Sequence, residues 1–568
     1  MTGETAAAIE LLENRSHTTD DGVELVADIY RPTAPGRYPT LLMRTPYNKT
    51  LAQLNNYAPP EWFARQGYAV VVEDVRGRGR SGGEFYPFAT EASDGEQSVA
   101  WASELSFSNG RVGMYGLSYP GVTQMQAARS GTAPLTSIAP AMTSADYHQG
   151  WTYRGGALEL SFATSWARML AKGDALKAGD AVAYSALARS YGAGDYNDLP
   201  LSATQPLADL GVARYFFDWL SHPDRDEYWT RWALHDSYAT MTVPGLHIGG
   251  WWDIFLEGTF QNFAGMRATG RAQQRCVVGP WTHAIDESQL HCPKLTGIIP
   301  NPLDDLMAAW FDHTLRGATD TLPDAAVRLY VVRGDRWLST NDWPPNNLEQ
   351  QTWFLASGGK ANADRGDGRL LLDGAAAGPP DTYVYDPLSP VPSIGGASCC
   401  SNEVSPMGPA DQSAIECLSS VLIYTSPPFD ATRVVVGEVG VVLHAATSGV
   451  DTDFVCRLCV VDRAGRSINI SDGILRGRYR EGLDKQVPTM PSEIVEYTIA
   501  LQPVTVQVAA GERLRLQVTS SAFPRWDRNL NTGAANADDG PAAAVVVRQH
   551  VFHDAQNPSR LVVNLLPA

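Results

Sequence analysis

Arg111-Val112-Gly113-Met114-Tyr115-Gly116-Leu117-Ser118-Tyr119-Pro120-Gly121, followed by Val122 to Ala128, is the stretch that decides the fold. Its first five residues form a strand-like run, and Val122 to Ala128 read as a helix. Between them Gly116-Leu117-Ser118-Tyr119-Pro120-Gly121 places a serine on a sharp strand-to-helix turn. A nucleophile elbow needs small residues beside its serine, because the backbone there passes too close for side chains. Gly116 supplies one of them. The second glycine arrives one place late, giving G-x-S-x-x-G instead of G-x-S-x-G. A G-x-S string alone is usually a structural turn; the strand before it and the helix after it make Ser118 a candidate nucleophile.

The pattern around this turn alternates. Leu25, Ala27 and Ile29 predict a half-exposed strand ahead of Arg31-Pro32, and Thr40 to Arg44 and Tyr68 to Val72 are runs typical of strands buried on both faces. A helix-like segment around Glu61 to Arg65 separates the last two. Strands alternating with helices imply a parallel sheet with right-handed crossovers. From Ala145 to Thr240 the chain turns helical in pattern and holds five Trp, eight Tyr and three Phe, so many rings that it reads as a cap inserted into the sheet domain. Val243 to Ile248 and Arg275 to Val278 resemble returning strands, and Leu303 to Arg316 a helix closed by Gly317. From about Thr352 short strand-like runs follow, among them Val434 to Val436, Val439 to Leu443, Phe454 to Val461, Leu514 to Val518 and Ala544 to Val547. Turn clusters separate them without a helical period, the pattern of a β-sandwich or jelly roll. The expected fold class is α/β: an α/β-hydrolase core over residues 1–144 and 241–350, a helical cap over 145–240, and a C-terminal all-β jelly roll over 351–568.

A serine hydroxyl is a weak nucleophile unless a base removes its proton and a carboxylate orients that base. In an α/β-hydrolase the chain order is Ser, acid, His. Asp253 follows the strand-like Gly245 to Gly250, and His283 follows the next such run, in Gly279-Pro280-Trp281-Thr282-His283. Both stand where a sheet strand should end, the edge at which such folds gather their reactive groups. His313 lies within the helix Leu303 to Arg316 and His291 in an irregular loop, so both fit the base less well. The backbone N–H of Tyr119 is a candidate oxyanion donor, and Tyr47, after the strand Thr40 to Arg44, a second. Gly77-Arg78-Gly79-Arg80-Ser81-Gly82 matches a dinucleotide fingerprint, but loop-like Phe85-Tyr86-Pro87-Phe88 follows where a helix should open. It reads as a glycine connector pinned by arginine–carboxylate bonds.

The formal charge of −18 over 568 residues argues against nucleic acid and anionic membrane as partners. With 44% apolar residues the chain can bury large cores. Seven cysteines cannot all pair, and Cys456-x-x-Cys459 and Cys399-Cys400 lack a second metal-binding pair, so free thiols in a reducing compartment are expected and no metal. The N-terminus shows no secretory pattern and no window is apolar enough to span a bilayer, which predicts a cytoplasmic protein.

Arg44-Thr45-Pro46-Tyr47, Asp74-Val75-Arg76-Gly77, the Ser118 turn, Trp252-Asp253 and Gly279 to His283 together resemble the cocaine-esterase-like (CocE/NonD) hydrolases of the X-Pro dipeptidyl-peptidase superfamily. Ser520-Ser521-Ala522-Phe523-Pro524-Arg525 and Asn531-Thr532-Gly533 fit that family's C-terminal domain. The resemblance implies a three-domain serine hydrolase without a cofactor. It implies a triad of Ser118, Asp253 and His283, an oxyanion hole of Tyr47 and Tyr119, and an acyl site bordered by Trp151, Trp166 and Phe255. Amino-ester hydrolases of the superfamily carry acidic residues just after the triad aspartate; Ile254 and Phe255 stand there in this chain. That departure favours a small-molecule ester with an uncharged, bulky, aromatic acyl group. The alternatives are amide or acylase activity, or a silent hydrolase fold serving as a binding scaffold. A homodimer is left open as the assembly.

Overall fold

Alternation along the strand Tyr38–Thr45 explains how the first sheet is covered. Leu41 and Met43 enter one apolar core and Leu42, between them, enters another, as the period of two in a pleated strand requires. The helices Pro60–Arg65 and Leu303–Arg316 close the first core with Phe63, Trp310 and Phe311. Glu91–Glu104 and Tyr119–Ser130 close the second with Val99, Met125 and Ala127. The computed structural model describes residues 8–54, 59–283, 303–319, 322, 324–362, 366–375, 377–399, 404–535 and 537–567.

Among the described residues ten strands form this sheet, in the order Ile9–Thr18, Glu24–Pro32, Ala69–Asp74, Tyr38–Thr45, Ser108–Leu117, Leu135–Ala141, Gly245–Trp252, Gln274–Thr282, Val327–Val331, Arg336–Thr340. The strands from Ala69–Asp74 to Val327–Val331 run parallel, and antiparallel strands flank them on both sides. Their carboxyl ends therefore share one edge. Leu135–Ala141 and Gly245–Trp252 are neighbours in the sheet although residues 142–244 lie between them. That excursion carries the helices Leu160–Ala178, Ala181–Ala193 and Arg214–Ser221, and its rings condense into one aromatic core. It also carries the two-stranded hairpin of Tyr153–Arg154 and Ala157–Leu158, which a purely helical reading did not anticipate.

From Glu349 onward eleven strands among the described residues make a second, mostly antiparallel sheet, so the C-terminal part is a separate all-β domain. The runs Val434 to Val436 and Val439 to Leu443 prove to be one strand, Arg433–Thr447, with a bulge between Gly437 and Val439. The expected strand Ala544 to Val547 is a correction: a short 3₁₀ turn occupies Pro541–Ala543, and the strand starts only at Val547. Val545 and Val546 are exposed, so that apolar run belongs to the surface.

Cys276, Cys417, Cys456 and Cys459 are free thiols, and burial raises the Cys459 thiol to about 12. Cys292, Cys400 and His291 lie outside the described residues. Among the described residues no helix is long and apolar enough to cross a membrane.

Candidate active site

Ser118 falls between the strand Ser108–Leu117 and the helix Tyr119–Ser130, with φ 70° and ψ −124°. A positive φ on a residue other than glycine costs ~1–3 kcal/mol and persists only where its surroundings hold it. Here the Ser118 N–H donates to the Ala141 carbonyl at 2.9 Å, and the Ser118 carbonyl accepts from Gly121 N at 2.8 Å and Val122 N at 3.2 Å. A Cβ on Gly116 would stand 2.4 Å from Pro120 Cβ, and one on Gly121 would stand 2.7 Å from Thr143 Cβ. The late glycine is thus explained by a close approach of the helix to the segment after the neighbouring strand.

Tyr119 is wholly buried, and its hydroxyl donates to Glu91 Oε1 at 2.9 Å while accepting from Phe88 N at 2.9 Å. Burial, with the Glu91 carboxylate alongside, keeps the phenol protonated well above its ordinary range. Glu91 in turn meets buried Arg44 at 2.7 Å, and Arg44 also bonds Glu73 at 2.7 Å. This ionic floor beneath the turn was not read from the sequence.

Asp253, fully buried, follows the strand Gly245–Trp252, and His283, about one-tenth exposed, follows Gln274–Thr282. His283 Nδ1 lies 2.7 Å from Asp253 Oδ1. The Asp253 loop is also held from the β-domain: Gln502 Nε2 donates to the Asp253 carbonyl at 3.1 Å, and Asp253 forms a lone β-bridge with Ser398.

Rings connect the two halves. Tyr119 meets Trp151 edge-on at 6.2 Å, Trp151 stacks on Phe255 at 4.6 Å, and Phe255 meets the His283 ring edge-on at 5.2 Å. Trp166 stacks over Tyr119 at 5.9 Å, and its indole N–H donates to the half-buried Tyr47 hydroxyl at 3.1 Å. All five aromatic residues singled out in the sequence therefore share one cluster, which holds the residue after Ser118 and meets His283 through Phe255. His313 is engaged elsewhere, its Nδ1 3.0 Å from the Ala318 carbonyl. The fingerprint-like turn closes on Asp74 at one glycine: a Cβ on Gly79 would stand 2.1 Å from Asp74 Oδ2, and the next helix begins only at Glu91.

A family model described as X-Pro dipeptidyl-peptidase (S15 family) matches residues 21–285, and one for the X-Pro dipeptidyl-peptidase C-terminal non-catalytic domain matches 319–562. The cocaine esterase of Rhodococcus sp. (strain MB1 Bresler) is 35% identical over 559 residues, 96% of this chain and 97% of its own. The chain belongs to the CocE/NonD serine hydrolases of the X-Pro dipeptidyl-peptidase family. Two solved structures are similar in fold to this CocE/NonD chain. An α-amino-acid ester hydrolase superposes with a TM-score of 0.81 at 23% identity, covering 100% of this chain and 98% of its own. An aminopeptidase from a marine sediment archaeon, Thaumarchaeota archaeon, gives 0.81 at 24%, covering 98% and 96%. In this CocE/NonD member the domain whose family model is described as non-catalytic reaches the Asp253 loop through Gln502 and Ser398.

Proposed function

We propose that the protein hydrolyses carboxylic esters through an acyl-enzyme on Ser118, with His283 as general base and Asp253 as its orienting acid. The observation that carries this reading is Ser118 at a positive φ on the strand-to-helix turn, with the Asp253–His283 bond of 2.7 Å at the ends of strands farther along the same edge. With Nδ1 engaged by the carboxylate, Nε2 is the imidazole atom that accepts the Ser118 proton as Oγ attacks the ester carbonyl. The oxyanion that forms is met by the Tyr119 N–H and the Tyr47 hydroxyl. The intermediate then expels the alkoxide, which takes the proton from His283 Nε2. Water, deprotonated by the same nitrogen, attacks the acyl-enzyme and releases the acid.

The acyl group favoured by Trp151, Trp166 and Phe255 is aromatic and uncharged. Ring pairs add ~0.5–1.5 kcal/mol beyond the area they bury, whereas an ammonium there would lose its hydration without gaining a counter-charge. Two carboxylates flanking the cap helix and the Asp253 loop, Glu159 and Glu257, are held by Arg154, at 3.0 and 2.6 Å. The test compares kcat/KM for benzoyl and phenylglycyl esters of one alcohol, with the benzoyl anilide as the amide control. A preference for the benzoyl ester supports the reading. Equal or faster turnover of the phenylglycyl ester moves the enzyme to amino esters, and comparable rates on the anilide move it to the acylases.

A further inference from the structure

The indole N–H of Trp166 and the phenol of Tyr47 form a bond whose direction chemistry fixes. An indole donates and has no acceptor, so Tyr47 must accept at 3.1 Å. Its own proton then cannot be directed at Trp166, and accepting a bond strengthens the hydroxyl as a donor. We infer that Trp166 is a positioning residue for the oxyanion donor, so that the cap helix Leu160–Ala178 sets one half of the oxyanion hole. This rests on the reading of Tyr47 as that donor.

The indole is not free to turn. It stacks at 5.9 Å on both Tyr119 and Trp219, and meets Trp151 edge-on at 5.9 Å and Tyr215 edge-on at 5.6 Å. The same helix also grips the loop that presents Tyr47. Arg78 donates to the Pro46 carbonyl at 2.9 Å, to the Leu170 carbonyl at 3.3 Å, and pairs with Asp174. On the other side of Tyr47, buried Lys49 pairs with Asp28 at 2.6 Å and donates its backbone N–H to Asp74 at 2.6 Å. The glycine string that imitates a dinucleotide fingerprint thus folds around Asp74 and delivers Arg78 to this junction. Ring stacking, a loop clamp and a directed N–H converge on one hydroxyl.

A wall residue and a positioning residue behave differently in a double-mutant cycle. The substrate is p-nitrophenyl acetate, whose small acyl group makes little use of an aromatic wall. Tyr47→Phe should lower kcat by ~10²–10³-fold. Trp166→Phe should lower kcat by about 5–10-fold with KM within about twofold, and should change kcat by less than about twofold when Tyr47 is already Phe. Replacing Trp166 by 3-benzothienylalanine, which keeps the bicyclic shape and lacks the N–H, should reproduce the Phe result and covers a packing failure of that variant. Both replacements should weaken phenylboronate, which mimics the tetrahedral adduct, by more than they weaken benzoate, with the excess matching the loss in kcat. An equal Trp166 effect in both backgrounds, or an effect confined to KM, overturns the inference while leaving Tyr47 as donor. Full activity of Tyr47→Phe instead overturns the reading of Tyr47 itself.

Discussion

The β-domain holds its own serine, aspartate and histidine in contact, Ser357, Asp381 and His553, and they differ from Ser118, Asp253 and His283 in where their hydrogen bonds go. Ser357 donates directly to Asp381 Oδ2 at 2.7 Å, accepts from Gly359 N at 2.9 Å, and lies 3.1 Å from His553 Nε2. Asp381 also receives Tyr424 at 2.8 Å and Ala361 N at 2.9 Å. The serine proton is therefore committed to an acid. The histidine reaches the acid in both sets, His553 at 3.3 Å and His283 at 2.7 Å, but Ser118 stands on a strained turn beside a helix N-terminus. The three residue types are the same; backbone geometry and the order of the bonds separate a candidate for catalysis from a structural knot.

The sharpest way to break this contrast is a pair of alanines. Ser118→Ala should lose ester hydrolysis by at least ~10³-fold with an unchanged fold, because a triad acts as a unit. Ser357→Ala should keep kcat within about twofold but lose ~1–3 kcal/mol of stability in urea unfolding, since it strands buried partners. Reversed outcomes would exchange the roles of the two sets.

The second prediction uses acid. Burial alone would raise the Asp381 pKa, but bonds from His553, Ser357, the Ala361 N–H and Tyr424 outweigh it and hold the carboxyl below the ordinary 3.8. The unfolded chain then binds the proton first as pH falls, so this carboxylate stabilises the fold fully above about 3.8 and loses that contribution as pH drops through its lower folded value. Asp381→Asn should flatten the acid side of the Tm profile. An unchanged acid slope would remove Asp381 from the account.

The smallest effect is expected at Gln502→Leu, which removes the bond to the Asp253 carbonyl. One such bond is worth ~0.5–1.5 kcal/mol, so kcat should fall about 2–10-fold without a change in acyl preference. A wild-type rate would reduce the contact to packing.

Which features could be read in advance follows from the same bonds. The helix Leu303–Arg316 and the buried strands Ala69–Asp74 and Ser108–Leu117 announce themselves because their apolar residues recur with the right period or in continuous runs. Ile9–Thr18 does not: it is an edge strand whose polar side chains stay exposed. The helix Glu91–Glu104 hides for the opposite reason. Its Glu91 and Asp94 are buried, and their partners Arg44 and Arg76 come from distant positions in the chain. The same division runs through the site. Ser118, Asp253 and His283 stand out as candidates because each follows its own strand in the expected order, whereas Gln502 and the Trp166 N–H make bonds across elements that no local pattern joins.

Gln502 also sets a clock. A ribosome completes His283 219 residues before it reaches Gln502 (502 − 283), and at ~5–20 residues per second that interval lasts roughly 10–45 s. Throughout it the nascent chain already owns Ser118, Asp253 and His283, yet the loop of Asp253 lacks its brace from the last domain. The Asp253 loop thereby gains its last bond only near the end of synthesis, and a message broken between those codons yields a chain whose loop lacks it.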